Sequence, residues 1–87
     1  MKSRINASFR KTLRKLPDHL RRHAKAAYKL FAENPYHPGL HFKKVDPDES
    51  IYSVRVGLDY RALGVLENDE ITWFWIGPHS DYDKLIS

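Results

Sequence analysis

Ile5, Phe9, Leu13 and Leu16 recur at intervals of four, four and three residues, the spacing of one apolar stripe on an α-helix. Arg10, Lys11, Arg14 and Lys15 fall mainly outside that stripe, and Pro17 ends this helix or opens the next. A second stripe runs through Leu20, Ala24, Ala27 and Phe31, with Tyr28 beside it and Arg21, Arg22, Lys25 and Lys29 mostly on the far side. Asn34-Pro35 stops this helix, and Pro38-Gly39 extends the break. The pattern predicts two antiparallel helices joined at Pro17, their apolar stripes facing a sheet.

The remainder reads as strands. Residues 40–45 form a short first strand, and Asp46-Pro47-Asp48-Glu49 is turn-like. Residues 51–56 and 60–66 are β-rich runs around Gly57-Leu58-Asp59. Residues 71–76 make the strongest strand, with Asn68-Asp69 as a two-residue hairpin loop before it. A short helix follows Ser80. The fold class expected is α+β, an N-terminal helical hairpin packed on an antiparallel meander with a short C-terminal helix.

The turns imply a register. A three-residue loop at 57–59 sets Val56 opposite Tyr60, Arg55 opposite Arg61 and Val54 opposite Ala62. A loop at Asn68-Asp69 sets Glu67 opposite Glu70, Arg61 opposite Ile76 and Ala62 opposite Trp75. With alternating side chains, one face carries Tyr52, Val54, Val56, Tyr60, Ala62, Leu66, Ile71, Trp73 and Trp75. The other carries Ser53, Arg55, Arg61, Leu63, Val65, Thr72, Phe74 and Ile76. Like charges directly opposite each other destabilise a sheet. Arg55 and Arg61 therefore either pair with acids such as Asp59, Asp81 or Asp83, or hold an anion by bidentate hydrogen bonds.

Charge sharpens this picture. The net charge of +4 is unevenly spread: residues 1–30 hold ten Lys/Arg and one acid, whereas residues 31–87 hold five Lys/Arg and ten acids. Such a basic block suits a phosphate backbone or an acidic protein partner, or is a pair of solvated helix faces. The 87 residues make one domain. With no Cys, disulfides and thiolate metal sites are excluded. No apolar run reaches the roughly 18 residues of a membrane span, and no apolar signal core follows the basic start. The expected location is the cytoplasm, away from membranes.

Candidate chemistry concentrates near the end, in Ile76-Gly77-Pro78-His79-Ser80-Asp81-Tyr82-Asp83. On a helix, three-residue spacing brings His79 and Tyr82 to one side. His moves protons near neutrality and Tyr does so when its acidity is raised by a neighbouring cation. Equally, His79 can cap a helix while Tyr82 plugs a core. His19 with His23, and His37 with His41, are pairs that could ligate a metal, yet no further ligand cluster completes a site. Neither a metal nor a cofactor is expected. P-loop, dinucleotide glycine, Gly-x-Ser-x-Gly and paired-carboxylate signatures are absent.

The run Tyr52-Ser53-Val54-Arg55-Val56-Gly57-Leu58-Asp59-Tyr60-Arg61, then Gly77-Pro78-His79 and Tyr82, resembles the RelE/ParE superfamily of toxins, including its YoeB-like and HigB-like branches. The resemblance spans about residues 5–86. It implies the toxin of a type II toxin–antitoxin pair, either a ribosome-dependent mRNA endonuclease or a gyrase inhibitor; an inactive antitoxin-binding homologue is a third outcome. In the mRNA-cleaving branch, Arg61 anchors the scissile phosphate, His79 is an acid/base or phosphate contact, and Tyr82 is a base or a stacking residue. Arg55 joins them through the cross-strand argument. Lys43 and Lys44 fall on the strand that holds RNA, with Arg21, Arg22 and Lys25 as further RNA-binding candidates. The chemistry implied needs no metal: the 2′-hydroxyl attacks the adjacent phosphate on a message positioned by the ribosome. The partners implied are the ribosome with its mRNA and an antitoxin offering an acidic or amphipathic segment. Many members of the family begin with a strand, whereas here Ile5 already belongs to the helical stripe and Met1–Arg4 leaves room for a stub.

Overall fold

The computed structural model describes residues 1–86. In chain order the elements are β1 (Lys2–Ile5), α1 (Ala7–Lys15), α2 (Asp18–Glu33), a 3₁₀ turn (Pro38–Leu40), β2 (Lys43–Lys44), β3 (Ile51–Val56), β4 (Tyr60–Glu67), β5 (Glu70–Pro78) and α3 (His79–Ile86). The five strands form one sheet in the order β1-β5-β4-β3-β2. The expected α+β plan of helical hairpin, meander and C-terminal helix is present. β1 is added at one edge, parallel to β5, so the sheet is mixed.

Ile5 is therefore the last residue of a strand and not the first position of the helical stripe. Its four-residue spacing from Phe9 mimics a helix. Asn6, however, is a strong N-cap: its side-chain oxygen accepts from the Phe9 amide at 2.8 Å, so α1 starts after it. Upstream, the Lys2 amide donates to the Asp69 carbonyl and the Asn6 amide to the Trp73 carbonyl, both at 3.0 Å. Those bonds satisfy backbone groups that an uncovered β5 edge would leave open.

Leu16 is extended, as the residue before a proline must be, and the chain turns there into α2. Both helices lie on one face of the sheet. The core between them gathers Phe9, Ala24, Phe31, Val54, Val56, Ala62, Ile71, Trp73 and Ile76. Phe31 presents its edge to Trp73 at 5.3 Å and to Phe42 at 5.1 Å.

The first predicted strand is shorter than its pattern. Pro38-Gly39 starts a 3₁₀ turn, His37 Nδ1 accepts from the Gly39 amide at 3.0 Å, and His41 is left-handed at φ 48°. Leu40 becomes a buried plug under α2, and pairing is confined to Lys43 opposite Ser53 and Lys44 opposite Tyr52.

The turns match their sequence. Gly57 takes φ +64°, and Asn68 and Asp69 take 51° and 62°, a two-residue turn of the mirror-image type that suits the strand twist. The register of β3 against β4 is the one the loop implies, with Arg55 directly opposite Arg61. β4 against β5 begins as expected at Glu67 opposite Glu70, then shifts at Leu63/Gly64. Beyond that bulge Ala62 faces Ile76 and Arg61 faces Gly77. Ile76 thus turns into the core, and Trp75 turns out to the opposite face. Gly64 permits this: a Cβ there would sit 2.7 Å from Cε3 of Trp73, whose ring occupies the space.

Candidate functional site

The face of the sheet away from α1 and α2 carries the candidate chemistry. α3 leaves the end of β5 and folds back across it. Tyr82, only 3% exposed, donates from its hydroxyl to Ser53 Oγ on β3 at 3.1 Å, and Ser53 is itself 2% exposed. These two residues and Leu63 make a small second core beneath α3.

His79 opens α3 at the rim of this face. Its amide donates to the Asp59 carbonyl in the β3–β4 turn at 2.6 Å, which ties the start of the helix to the Arg55–Arg61 end of the sheet. Its side chain is 47% exposed, and Nε2 lies 3.1 Å from Oδ2 of Asp83, one helical turn on. The His79 and Tyr82 rings are neighbours, with centroids 5.9 Å apart. The three-residue spacing brings them to one side as the sequence implies. In this arrangement Tyr82 fills the core-plug role, and His79, the first residue of α3, keeps an exposed imidazole.

Arg55 and Arg61 face each other across β3 and β4. Arg61 is partly buried and donates to the Tyr60 carbonyl at 2.9 Å. Arg55 buries its Nε with no hydrogen-bond partner. Among the described residues neither guanidinium forms an ion pair, and Asp83 is engaged by His79 instead. Two partly buried arginines on paired positions, neither with a carboxylate partner, are residues of the kind that a phosphate or another anion satisfies.

Lys43 stands opposite Ser53 and so projects from the same face, exposed. Lys44 stands opposite Tyr52 and projects from the other. Arg21, Arg22 and Lys25 lie on α2, across the sheet from Arg61 and His79. They rim a groove of about 700 Å³ between α1 and α2, floored by Phe9, Leu13 and Ala24. The basic candidates thus divide into two surfaces. Arg21 is further engaged locally, with Asp18 and with the Leu16 carbonyl.

Of the histidine pairs, His19 and His23 approach edge to face at 6.2 Å, with His23 packed over Gly57. His37 caps the 3₁₀ turn. Among the described residues no group of three or more His, Cys, Asp or Glu is placed to hold a metal. Nor, among them, is any helix long and apolar enough to cross a membrane.

Three residues of this face escaped the sequence reading: Ser53 as the anchor of Tyr82, Asp83 as the partner of His79, and Trp75. The four-residue spacing of His79 and Asp83 was available as a signal for the second. Gly64 inside a strand pattern was the signal for the third, since an isolated strand glycine marks a bulge.

Residues 18–84 match the model of the ParE-like toxin domain family. The chain is a ParE-like toxin domain. It belongs to the RelE/ParE superfamily of toxins. Its fold is that of solved toxin complexes: it is similar to the RelB–RelE antitoxin–toxin complex of Methanococcus jannaschii, at 20% identity and TM-score 0.73 over 95% of this chain and 98% of that one. It is similar also to the archaeal RelE–RelB complex of Pyrococcus horikoshii OT3, at 20% identity and TM-score 0.67 over 88% and 92%. The RelBE2 toxin–antitoxin complex of Mycobacterium tuberculosis matches at 22% identity and TM-score 0.60 over 92% of each chain. No curated protein matches the sequence of this toxin.

Proposed function

We propose that this toxin cleaves messenger RNA at the ribosome. The observation that carries the reading is the unpaired Arg55–Arg61 couple on the face whose rim holds the exposed imidazole of His79. In this reading the guanidiniums bind the scissile phosphate, and His79, whose amide is tied to the Asp59 carbonyl at the same end of the sheet, acts on the neighbouring 2′-hydroxyl or the leaving oxygen. The hydroxyl oxygen attacks phosphorus and gives its proton to a base. The O2′–P bond forms as the P–O5′ bond breaks, leaving a cyclic phosphate, and the departing 5′-oxygen takes a proton. His79 serves one of the two transfers, and the arginines stabilise the added charge on phosphorus. Tyr82, buried against Ser53, sets the position of α3 and so of His79. The ribosome supplies the alignment of the message, which lets so few groups suffice.

The test is cell-free translation with primer extension on the message. Cuts within ribosomal A-site codons that disappear in Arg61→Ala and in a His79→Ala/Tyr82→Phe double variant support the reading. An intact message with unimpaired translation overturns it.

The ParE-like family match favours a second reading, inhibition of DNA gyrase without cleavage. That activity needs a binding surface and not His79, so a supercoiling assay with His79→Ala separates the two.

In either reading the toxin has an antitoxin partner, as the RelB–RelE complexes have. The groove between α1 and α2, apolar on its floor and rimmed by Arg21, Arg22 and Lys25, suits an acidic amphipathic segment that folds as it binds.

A further inference from the structure

Trp75 belongs to neither the main core nor the groove between the helices. The bulge at Leu63/Gly64 turns it onto the face of Arg61, Lys43 and His79, where a regular register would have buried it under α1 and α2. It stays partly exposed there. Its six-membered ring lies over Gly77: a Cβ on Gly77 would come within 2.5 Å of Cζ2 and 2.8 Å of Cη2. Gly77 is directly opposite Arg61, and side chains so paired start about 5 Å apart. The indole therefore lies over the residue paired with Arg61, the arginine that the mRNA reading assigns to the scissile phosphate. His79 follows two residues after Gly77.

Resting on the mRNA reading, we propose that Trp75 is a nucleobase platform and helps set which nucleotide is accepted next to the cut. A cationic group on the backbone beside an aromatic ring for the base is the general solution to gripping single-stranded nucleic acid. The chemistry recognised is the flat face of an unpaired base one nucleotide from the phosphate held by Arg61. Gly77 is part of the device, since any side chain there would lift the indole off the sheet. A solely structural role, packing Trp75 beside α3, is the competing account.

The test pairs protein and message variants. Ribosomes are programmed with messages carrying an abasic ribonucleotide, which keeps its 2′-hydroxyl, at each A-site position in turn, and single-turnover cleavage by the intact toxin is measured. At one position, loss of the base slows the wild-type toxin about 10–100-fold, the range of a single base–aromatic stack. Trp75→Ala slows cleavage of the normal message by a similar factor and is indifferent to the base at that position. Trp75→Phe falls between. If Trp75→Ala slows every message alike and still responds to the missing base, the ring acts structurally and the proposal is overturned while the mRNA reading stands. If the wild-type toxin cuts no message, the mRNA reading fails and the platform fails with it.

Discussion

The hydroxyl of Tyr82 donates a 3.1 Å hydrogen bond to the hydroxyl of Ser53, joining α3 to the middle of β3 in a place water does not reach. Tyr82 is the one buried residue of α3, so the docking of that helix depends on it. Tyr82→Phe keeps the ring and loses the bond, at a cost of about 1 kcal/mol. Tyr82→Ala loses the ring as well and costs about 3–5 kcal/mol. Thermal melts measure both. Cleavage by Tyr82→Phe should survive if the tyrosine only positions His79; its loss with the fold intact would assign the hydroxyl to the chemistry.

Arg55 and Arg61 stand directly opposite each other with no carboxylate partner, and among the described residues the one hydrogen bond of either side chain is that of Arg61 to the Tyr60 carbonyl. Neutralising one of them, as Arg61→Gln, relieves cross-strand repulsion. It should leave stability unchanged or raise it by up to about 1 kcal/mol while activity falls. Inorganic phosphate should raise the melting temperature of the wild-type protein more than that of the variant, because a ligand that binds only the folded state stabilises it. Equal shifts in both would mean that the pair holds no anion.

Gly64 is occupied from above by Trp73 and Ile71. Gly64→Ala puts a methyl group 2.7 Å from the Trp73 ring and should destabilise by about 1–3 kcal/mol, read by denaturant titration. Because the bulge sits here, the same variant should disturb the outer face. The tryptophan fluorescence of the folded variant should therefore differ from that of the wild type.

The groove between α1 and α2 should respond to charge. A triple Arg21→Glu, Arg22→Glu, Lys25→Glu variant should lose affinity for an acidic amphipathic peptide by 10-fold or more. Wild-type binding should weaken as salt is raised, since the rim charges are exposed. Isothermal titration at two ionic strengths measures both, and salt-insensitive binding would remove the electrostatic part.

The sequence alone determined the elements held by local physics. The stripe of α2, the Phe9 and Leu13 part of the first stripe, the stop at Asn34-Pro35, the two hairpin turns and the opposition of Arg55 and Arg61 all follow from spacing and turn chemistry within a few residues. The neighbourhood of His79 and Tyr82 needed only helical periodicity. What the tertiary structure decided depends on atoms distant in sequence. β1 is a strand because the far edge of β5 offers it partners, seventy residues away, and no local pattern records that edge. Leu40 leaves the strand because α2 and the sheet leave a space it fills. The bulge at Gly64 arises where the Trp73 ring needs room. By shifting the register one residue it sends Ile76 inward and Trp75 outward, a reversal that strict alternation cannot express. The division of the basic residues into two surfaces has the same origin, because only the packed sheet separates Arg21, Arg22 and Lys25 from Arg61.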